Sequence, residues 1–225
     1  MNMITAIIGT TGVELQECGG KFRLLSRLTA APPDAALLED VMALGWLDRE
    51  NTSSLEELQV EFTRLFSAPG PDAIPAHQSI YTDTLRINAS GPDKFNCGMA
   101  SEGREFKGYL CGESCARLKH CYDAVNFEPS DPAPAMVDHI STQLAFMAHL
   151  YLMEARETAE GKKEEARSTG DLRNKFYAEF LGRWAAEFTR KLAANPVSRL
   201  YGNAGQVIRE ALEKQARNYP EGERI

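Results

Sequence analysis

Alternating polar and apolar runs of strand length are missing from these 225 residues, as is any strand-turn-strand signal, and both absences argue against a sheet-built fold. The signatures of common chemistry are missing too. No Gly-x-Ser-x-Gly elbow and no activated Cys/His pair is present, so nucleophilic hydrolysis has no support. Neither a Walker-type phosphate loop nor a Gly-x-Gly-x-x-Gly after a strand occurs, which leaves nucleotide binding without a phosphate cradle. Cysteine is scarce and odd in number: five in a chain this long do not suggest a disulfide framework and point to a reducing compartment, by default the cytoplasm. Helical patterns are interrupted by charges short of membrane-spanning length, and Met1-Asn2-Met3-Ile4-Thr5-Ala6-Ile7-Ile8 has no basic n-region. Neither a signal peptide nor stable membrane insertion is expected. Basic residues are in deficit, 25 against 32 acidic for a net charge of -7, which argues against nucleic acid as a partner.

What is present is an ordinary globular composition, 43% hydrophobic and 25% charged, enough for one large core or two smaller ones. Charge is unevenly placed: residues 1 to 159 hold 12 Lys/Arg against 22 Asp/Glu, and residues 160 to 217 hold 12 against 8. An acidic front favours encounter with a basic peptide, although solvated acidic faces that aid solubility are the simpler account.

Apolar spacing predicts helices throughout. Leu15, Phe22, Leu25 and Leu28 place one over Val13 to Ala30, stopped by Pro32-Pro33, and Asp34 caps a second through Leu44. Ser54-Leu55-Glu56-Glu57 is a capping box ahead of Leu58, Phe62, Leu65 and Phe66, so a third helix runs from about Leu55 to Ser67. From Ala68 to Gly112 prolines and glycines predict a long loop with a helical turn near Tyr81; loops of that length in compact domains are usually functional. Ser114 to Phe127 is helical with Leu118, Cys121, Tyr122 and Val125 inward. Three prolines in Glu128-Pro129-Ser130-Asp131-Pro132-Ala133-Pro134 then interrupt regular structure and predict a hinge at 128–134. Beyond it Met136, Ile140, Leu144, Met147 and Tyr151 recur at steps of 4, 4, 3 and 4, one buried helical stripe that frays near Gly161 to Gly170. Leu172 to Ala194 repeats the pattern with Phe176, Phe180, Trp184, Phe188 and Leu192. A short helix from Asn195-Pro196 to Tyr201 and a last one over Asn203 to Arg217 complete an all-α reading, with 1–127 and 135–225 as the two helical parts.

Candidate sites follow from residue chemistry. Cys97, Cys111, Cys115, His120 and Cys121 are soft donors of the kind that hold zinc, but Cys111-x3-Cys115-x5-Cys121 is not knuckle spacing; a metal site and reduced cysteines packed as small apolar side chains are the two readings, and Cys111 meets Cys115 only if that helix begins early. Asp138 and His139 open the helix after the hinge, where unpaired backbone N–H groups keep a carboxylate charged and an imidazole neutral. Asp138 either caps the first turn or faces a groove to hold an Arg or Lys head. His77, Gln78, Ser79 and Tyr81 follow Pro75 in the long loop, as ligand contacts or as a turn held by Ser79. His149, off the apolar stripe, is expected to be a surface or satisfied histidine; Trp184 and its Phe neighbours are core, and Trp46 anchors a helix end.

Taken in order, these segments resemble the TorD/DmsD family of cytoplasmic redox enzyme maturation chaperones, which includes the NarJ group. Glu61-Phe62-Thr63-Arg64-Leu65-Phe66 resembles its helix ending in Arg-Leu-Phe, and Pro75-Ala76-His77-Gln78-Ser79-Ile80-Tyr81 its Pro/Ser/Tyr segment. Glu128-Pro129 through Asp138-His139-Ile140 to Leu144-Ala145-Phe146-Met147 is similar to its Glu-Pro hinge, Asp-His pair and following helix. Phe180-Leu181-Gly182-Arg183-Trp184 to Leu200-Tyr201 is similar to its Trp helix and Pro-x-x-x-x-Tyr element. Arg183 lies near where the family often has His, and Asn96 to Cys111 is longer than the usual connection. The resemblance implies a TorD-like helical bundle, larger N-terminal and smaller C-terminal, as a monomer or a domain-swapped dimer. It implies a non-enzymatic chaperone without a cofactor of its own, whose partner is the apo catalytic subunit of a molybdenum-containing oxidoreductase, often bound through a twin-arginine signal peptide. By the same resemblance Asp138 and His139 contact that peptide, and Pro75, Ser79, Tyr81, Glu128 and Pro129 line or shape its groove.

Overall fold

The long helix α6 (Ile140–Ala159) is the axis on which the rest is assembled, because its first three turns are buried on nearly every face. Ile140, Leu144, Phe146, Met147, Leu150 and Tyr151 are all buried. The computed structural model describes residues 12–48, 53–87, 104–108, 110–129, 136–196 and 198–217. α1 (Gly12–Ala30) lies antiparallel along α6: Gly19 faces Leu152, Phe22 stacks on Tyr151 at 5.5 Å, and the Ser26 hydroxyl donates to the Ser141 carbonyl at 2.8 Å. A Cβ on Gly19 would stand 2.7 Å from the Leu152 Cγ, so glycine permits this close approach. Leu25, Leu28, Leu144 and Leu150 are fully buried, each contributing about 2 kcal/mol of transfer free energy.

α2 (Ala35–Ala43) starts where Asp34 accepts from the Leu37 amide at 2.7 Å and ends at Gly45, whose φ of +69° reverses the chain. α3 (Leu55–Phe62) carries the expected capping box, reciprocal between Ser54 and Glu57, and runs on as a π-helical turn, Thr63–Ser67. A short α4 (Gln78–Thr82) provides the helical turn expected near Tyr81. The chain then departs from the strand-free expectation: β1 (Thr84–Ile87) pairs antiparallel with β2 (Arg104–Lys107), Thr84 opposite Lys107 and Ile87 opposite Arg104. Four residues per strand are too few for alternation to register in sequence. α5 (Glu113–Asp123) follows, with Asp83 accepting from the Ser114 amide and hydroxyl at 3.1 and 2.9 Å.

After α6 the chain turns at Gly161, φ +74°, straight into α7 (Lys163–Glu179), so the stretch 161–170 is a tight turn and a helix instead of a frayed end. The single helix expected over Leu172 to Ala194 is broken. α7 stops at Glu179, a 3-10 turn spans Leu181–Arg183, and α8 (Ala185–Ala194) leaves in a new direction. Gly182 makes the break possible, since a Cβ there would meet the Tyr177 carbonyl oxygen at 2.9 Å. Conversely, the two C-terminal helices expected from Asn195 are one, α9 (Arg199–Arg217). Gly205 lets α9 press on α8, where a Cβ would fall 2.9 Å from the Ala193 nitrogen.

Trp184, Phe176, Phe180, Phe188 and Tyr201 are buried, and one continuous apolar cluster joins them to α1, α2, α3 and α6. Trp46 packs against it partly buried, as expected. The fold is all-α with one two-stranded ribbon. Residues 130–135 of the proline segment lie outside the described residues, as do Met1 to Ile8 and most of 96–111.

Candidate functional site

Two features meet at the start of α6: a buried latch and an open groove. The latch forms because the extended segment 75–77, leading into α4, lies beside the residues that lead into α6. Gln78 N–H donates to the Asp138 carbonyl at 2.9 Å and Ile140 N–H to the Ala76 carbonyl at 2.7 Å, a bridge of His77 against His139. Asp138 is 0% exposed, which without partners would be costly for a carboxylate. It has them. The Ser79 hydroxyl donates to Oδ2 at 2.5 Å, the Ser79 amide donates to the same oxygen at 3.1 Å, and His77 Nδ1 lies 3.2 Å from Oδ1. Burial pushes the Asp138 pKa up, but the hydrogen bonds from His77 and Ser79 outweigh it and hold it at about 2.

Asp138 does not cap α6. The cap is His139, whose Nδ1 accepts from the Ser141 amide at 3.2 Å and from the Ser141 hydroxyl at 2.7 Å, leaving the neutral ring with its proton on Nε2. Burial first, and the neighbouring His77 second, depress the His139 pKa to about 3. The charged Asp138 and neutral His139 expected from the helix N-terminus are therefore present, with burial and specific donors as the principal causes.

Around the latch Gln143 donates to Gln78 Oε1 at 2.9 Å and to the Asp138 carbonyl at 3.3 Å, and accepts from Trp184 Nε1 at 3.3 Å. Tyr81 donates to the Pro75 carbonyl at 2.8 Å and lies over Trp184 at 5.2 Å. Its phenol is pushed up to about 12 by burial and by Glu187. Thus Pro75, Ser79, Tyr81, Asp138 and His139 are brought together as the sequence suggested, with the Asp138 carboxylate closed off from solvent.

Glu128 and Pro129 are elsewhere. Both are exposed, and Glu128 lines a groove of about 970 Å³ between α1, α2, the segment 126–128 and α6. Leu24, Leu44, Phe127, Ala145, Ala148 and Leu152 supply its apolar surface, with Leu44 50% and Leu152 37% exposed. Arg23, Arg27 and Asp40 stand on the helical wall opposite Glu128. Arg27 shares Asp34 and Asp40 at 3.4 Å each. A hydrogen bond links latch and groove: Ser26, in the groove wall, donates to Ser141, which His139 holds.

His149 departs from the expectation of a surface or satisfied histidine. It stands near Phe127 and Phe146, ring centroids 5.4 and 6.5 Å away, with Nε2 shielded from solvent and without a hydrogen-bond partner among the described residues. Burial and Arg156 lower its pKa. Arg23, Leu24, Leu44, His149 and Leu152 escaped sequence reasoning because no motif links residues 23 and 152; the only available sign was apolar or aromatic character just off a helical stripe.

The alternative of a metal centre is not supported. Among the described residues no three His, Cys, Asp or Glu side chains converge as ligands. Cys111 and His120 are exposed, Cys115 is buried and Cys121 half-buried. Six residues on a helix turn Cys121 to a different face from Cys115. Cys97 lies outside the described residues.

The profile of the family described as nitrate reductase delta subunit matches residues 29–190. The chain belongs to that family. The nitrate reductase delta subunit family consists of NarJ-related chaperones for redox enzyme maturation, and the matched span includes α2 to α7, the latch and most of the groove. No curated protein matches this delta-subunit relative. A crystal structure from Archaeoglobus fulgidus, its protein assigned to redox enzyme maturation, is similar over 85% of this chain and 91% of that one, at 19% identity and a TM-score of 0.49. Among the described residues, no helix of this delta-subunit-family chain is long and apolar enough to cross a membrane.

Proposed function

We propose that the chain is a cytoplasmic, non-enzymatic chaperone that holds an apo molybdenum-containing oxidoreductase by its twin-arginine signal peptide while the cofactor is inserted before export. One observation carries this reading: a groove of about 970 Å³ that combines exposed Leu44 and Leu152 with an exposed carboxylate, Glu128, in a chain of the delta-subunit family. The apolar surface takes the peptide's hydrophobic stretch, and Glu128 receives an arginine head. The net charge of -7 steers a basic peptide towards the protein. Asp138 and His139 act as positioning residues. Their bonds to Ser79 and Ser141 fix the start of α6, and through Ser26 the adjoining α1 wall, with Pro75 and Tyr81 bracing the same segment.

Fluorescence anisotropy with a labelled twin-arginine signal peptide tests the proposal. Binding at micromolar protein is expected, with Glu128→Lys weakening it about three- to tenfold, roughly one unit of RT ln 10 at most. Absence of binding by wild-type protein at micromolar concentration would overturn it.

A further inference from the structure

Outside groove and latch core, the most unusual backbone is at Cys111. Its φ of 58° is in the left-handed region, where a non-glycine residue costs about 1–3 kcal/mol and persists only when its surroundings hold it. The holder is Ser79, whose hydroxyl accepts from the Cys111 amide at 3.1 Å while donating to Asp138. Gly112 then opens α5, and the Cys115 amide bonds back to the Gly112 carbonyl at 3.2 Å, so the first turn begins early enough for residue 115 to return over residue 111. The Cys115 side chain is 6% exposed and has Cys111 and Asp138 as electrostatic neighbours. Cys111 itself is exposed, and both are free thiols.

From this arrangement we propose that Cys111 and Cys115 form a redox-active dithiol, which a peroxide closes into an intramolecular disulfide beside the latch. An exposed thiol meets the oxidant, and a shielded neighbour resolves the product before further oxidation. The Cys111 sulfur, as thiolate, attacks one peroxide oxygen; the O–O bond breaks, Cys111 becomes a sulfenic acid, and the departing oxygen takes up a proton as water. The Cys115 sulfur then attacks the Cys111 sulfur, the S–O bond breaks, and the hydroxyl leaves as a second water with the proton from Cys115. Two thiols are oxidised by two electrons and one peroxide is reduced to two waters. Burial, then the Cys111 and Asp138 neighbours, push the Cys115 thiol far above its usual range, so Cys115 stays protonated until the sulfenic acid is in contact. The closed form removes the Cys115 S–H, a neighbour of Asp138, and draws on the backbone that Ser79 holds, which couples oxidation to the latch.

The full chain is tested fully reduced, exposed to one equivalent of hydrogen peroxide, alkylated with iodoacetamide, cut with trypsin and weighed. Cys111 and Cys115 share the tryptic peptide Gly108–Arg117. Expected is a peptide lighter by two hydrogens and unalkylated, which regains two alkylation sites on reduction. In Cys115→Ser, Cys111 is expected to stop at the sulfenic acid and be captured by dimedone. Double alkylation after treatment, oxygen added to Cys111 in wild type without a disulfide, a cross-link of Cys111 to Cys97, or an unchanged Cys111 product in Cys115→Ser each overturn the proposal.

Discussion

His139 and Asp138 are adjacent and buried, yet acid acts on them over different ranges. An imidazole in an unfolded chain titrates near 6.5, whereas native His139 is held at about 3. Between those values the unfolded state binds a proton that the native state refuses, so stability is complete above about 6.5 and declines as pH falls towards 3. Asp138 adds a lower range: its stabilisation is present above its usual 3.8 and is lost as pH falls to about 2. Urea unfolding at pH 5 should therefore show wild-type stability below that at pH 8 by about 2 kcal/mol, at 1.36 kcal/mol per pH unit. His139→Gln should remove most of that difference, leaving the smaller share of the same sign from His149. Equal wild-type stability at the two pH values would contradict this account. Ser79→Ala tests the donors to the carboxylate. It removes a charge-assisted hydrogen bond, and a loss of about 2 kcal/mol in urea unfolding is expected; a change within about 0.5 kcal/mol would mean that other groups satisfy Asp138.

Gly202 and Gly205 both sit inside α9, and their substitution should act in opposite directions. Gly→Ala in a helix ordinarily stabilises by about 1 kcal/mol. At Gly202 the nearest atom to an added Cβ is the Ala193 carbonyl oxygen at 3.9 Å, so Gly202→Ala should raise the thermal midpoint. At Gly205 the added carbon meets the Ala193 nitrogen at 2.9 Å and the Thr189 oxygen at 3.1 Å, which only separation of α8 from α9 relieves. A loss of about 1–3 kcal/mol is expected for Gly205→Ala, and an equal rise for both variants would refute close packing there. The same helices show what periodicity reveals and what it hides. Ile140, Leu144, Met147 and Tyr151 marked α6 because one stripe faces one core, and the Ser54/Glu57 box marked α3 because its chemistry is local. Phe176, Phe180, Trp184 and Phe188 keep four-residue spacing across a break, since α7 and α8 bury their aromatics in the same core. Only Gly182 signals the turn.

Groove and latch were legible to different degrees because they are assembled from different distances. Glu128 was noticed from the proline hinge and by resemblance, but the wall it faces comes from residues 20–44 and the floor from 145–152. The Asp-His pair was visible as two polar residues at a helix start; its burial was not, because Ser79 and His77 arrive from about 60 residues away. This separation makes a prediction for the molecule as a whole. Leu44→Asp, at a surface position 50% exposed, should weaken signal-peptide binding about tenfold or more in anisotropy while leaving urea unfolding within about 1 kcal/mol of wild type. Ser79→Ala should lose binding only to the extent that it loses stability. If the two variants exchange these behaviours, the latch and not the groove meets the peptide.

The indole of Trp184 gives the latch an optical signature. It is 2% exposed and donates to Gln143, which in turn reaches Gln78 and the Asp138 carbonyl. The second tryptophan, Trp46, packs partly buried against the core, and Asn203 donates to its carbonyl. In Trp46→Phe protein the remaining emission would come from a ring whose polar contact belongs to the junction of residues 75–79 with α6. A red shift would then mark solvent entering that junction, separating its opening in time from the melting of the helices around it.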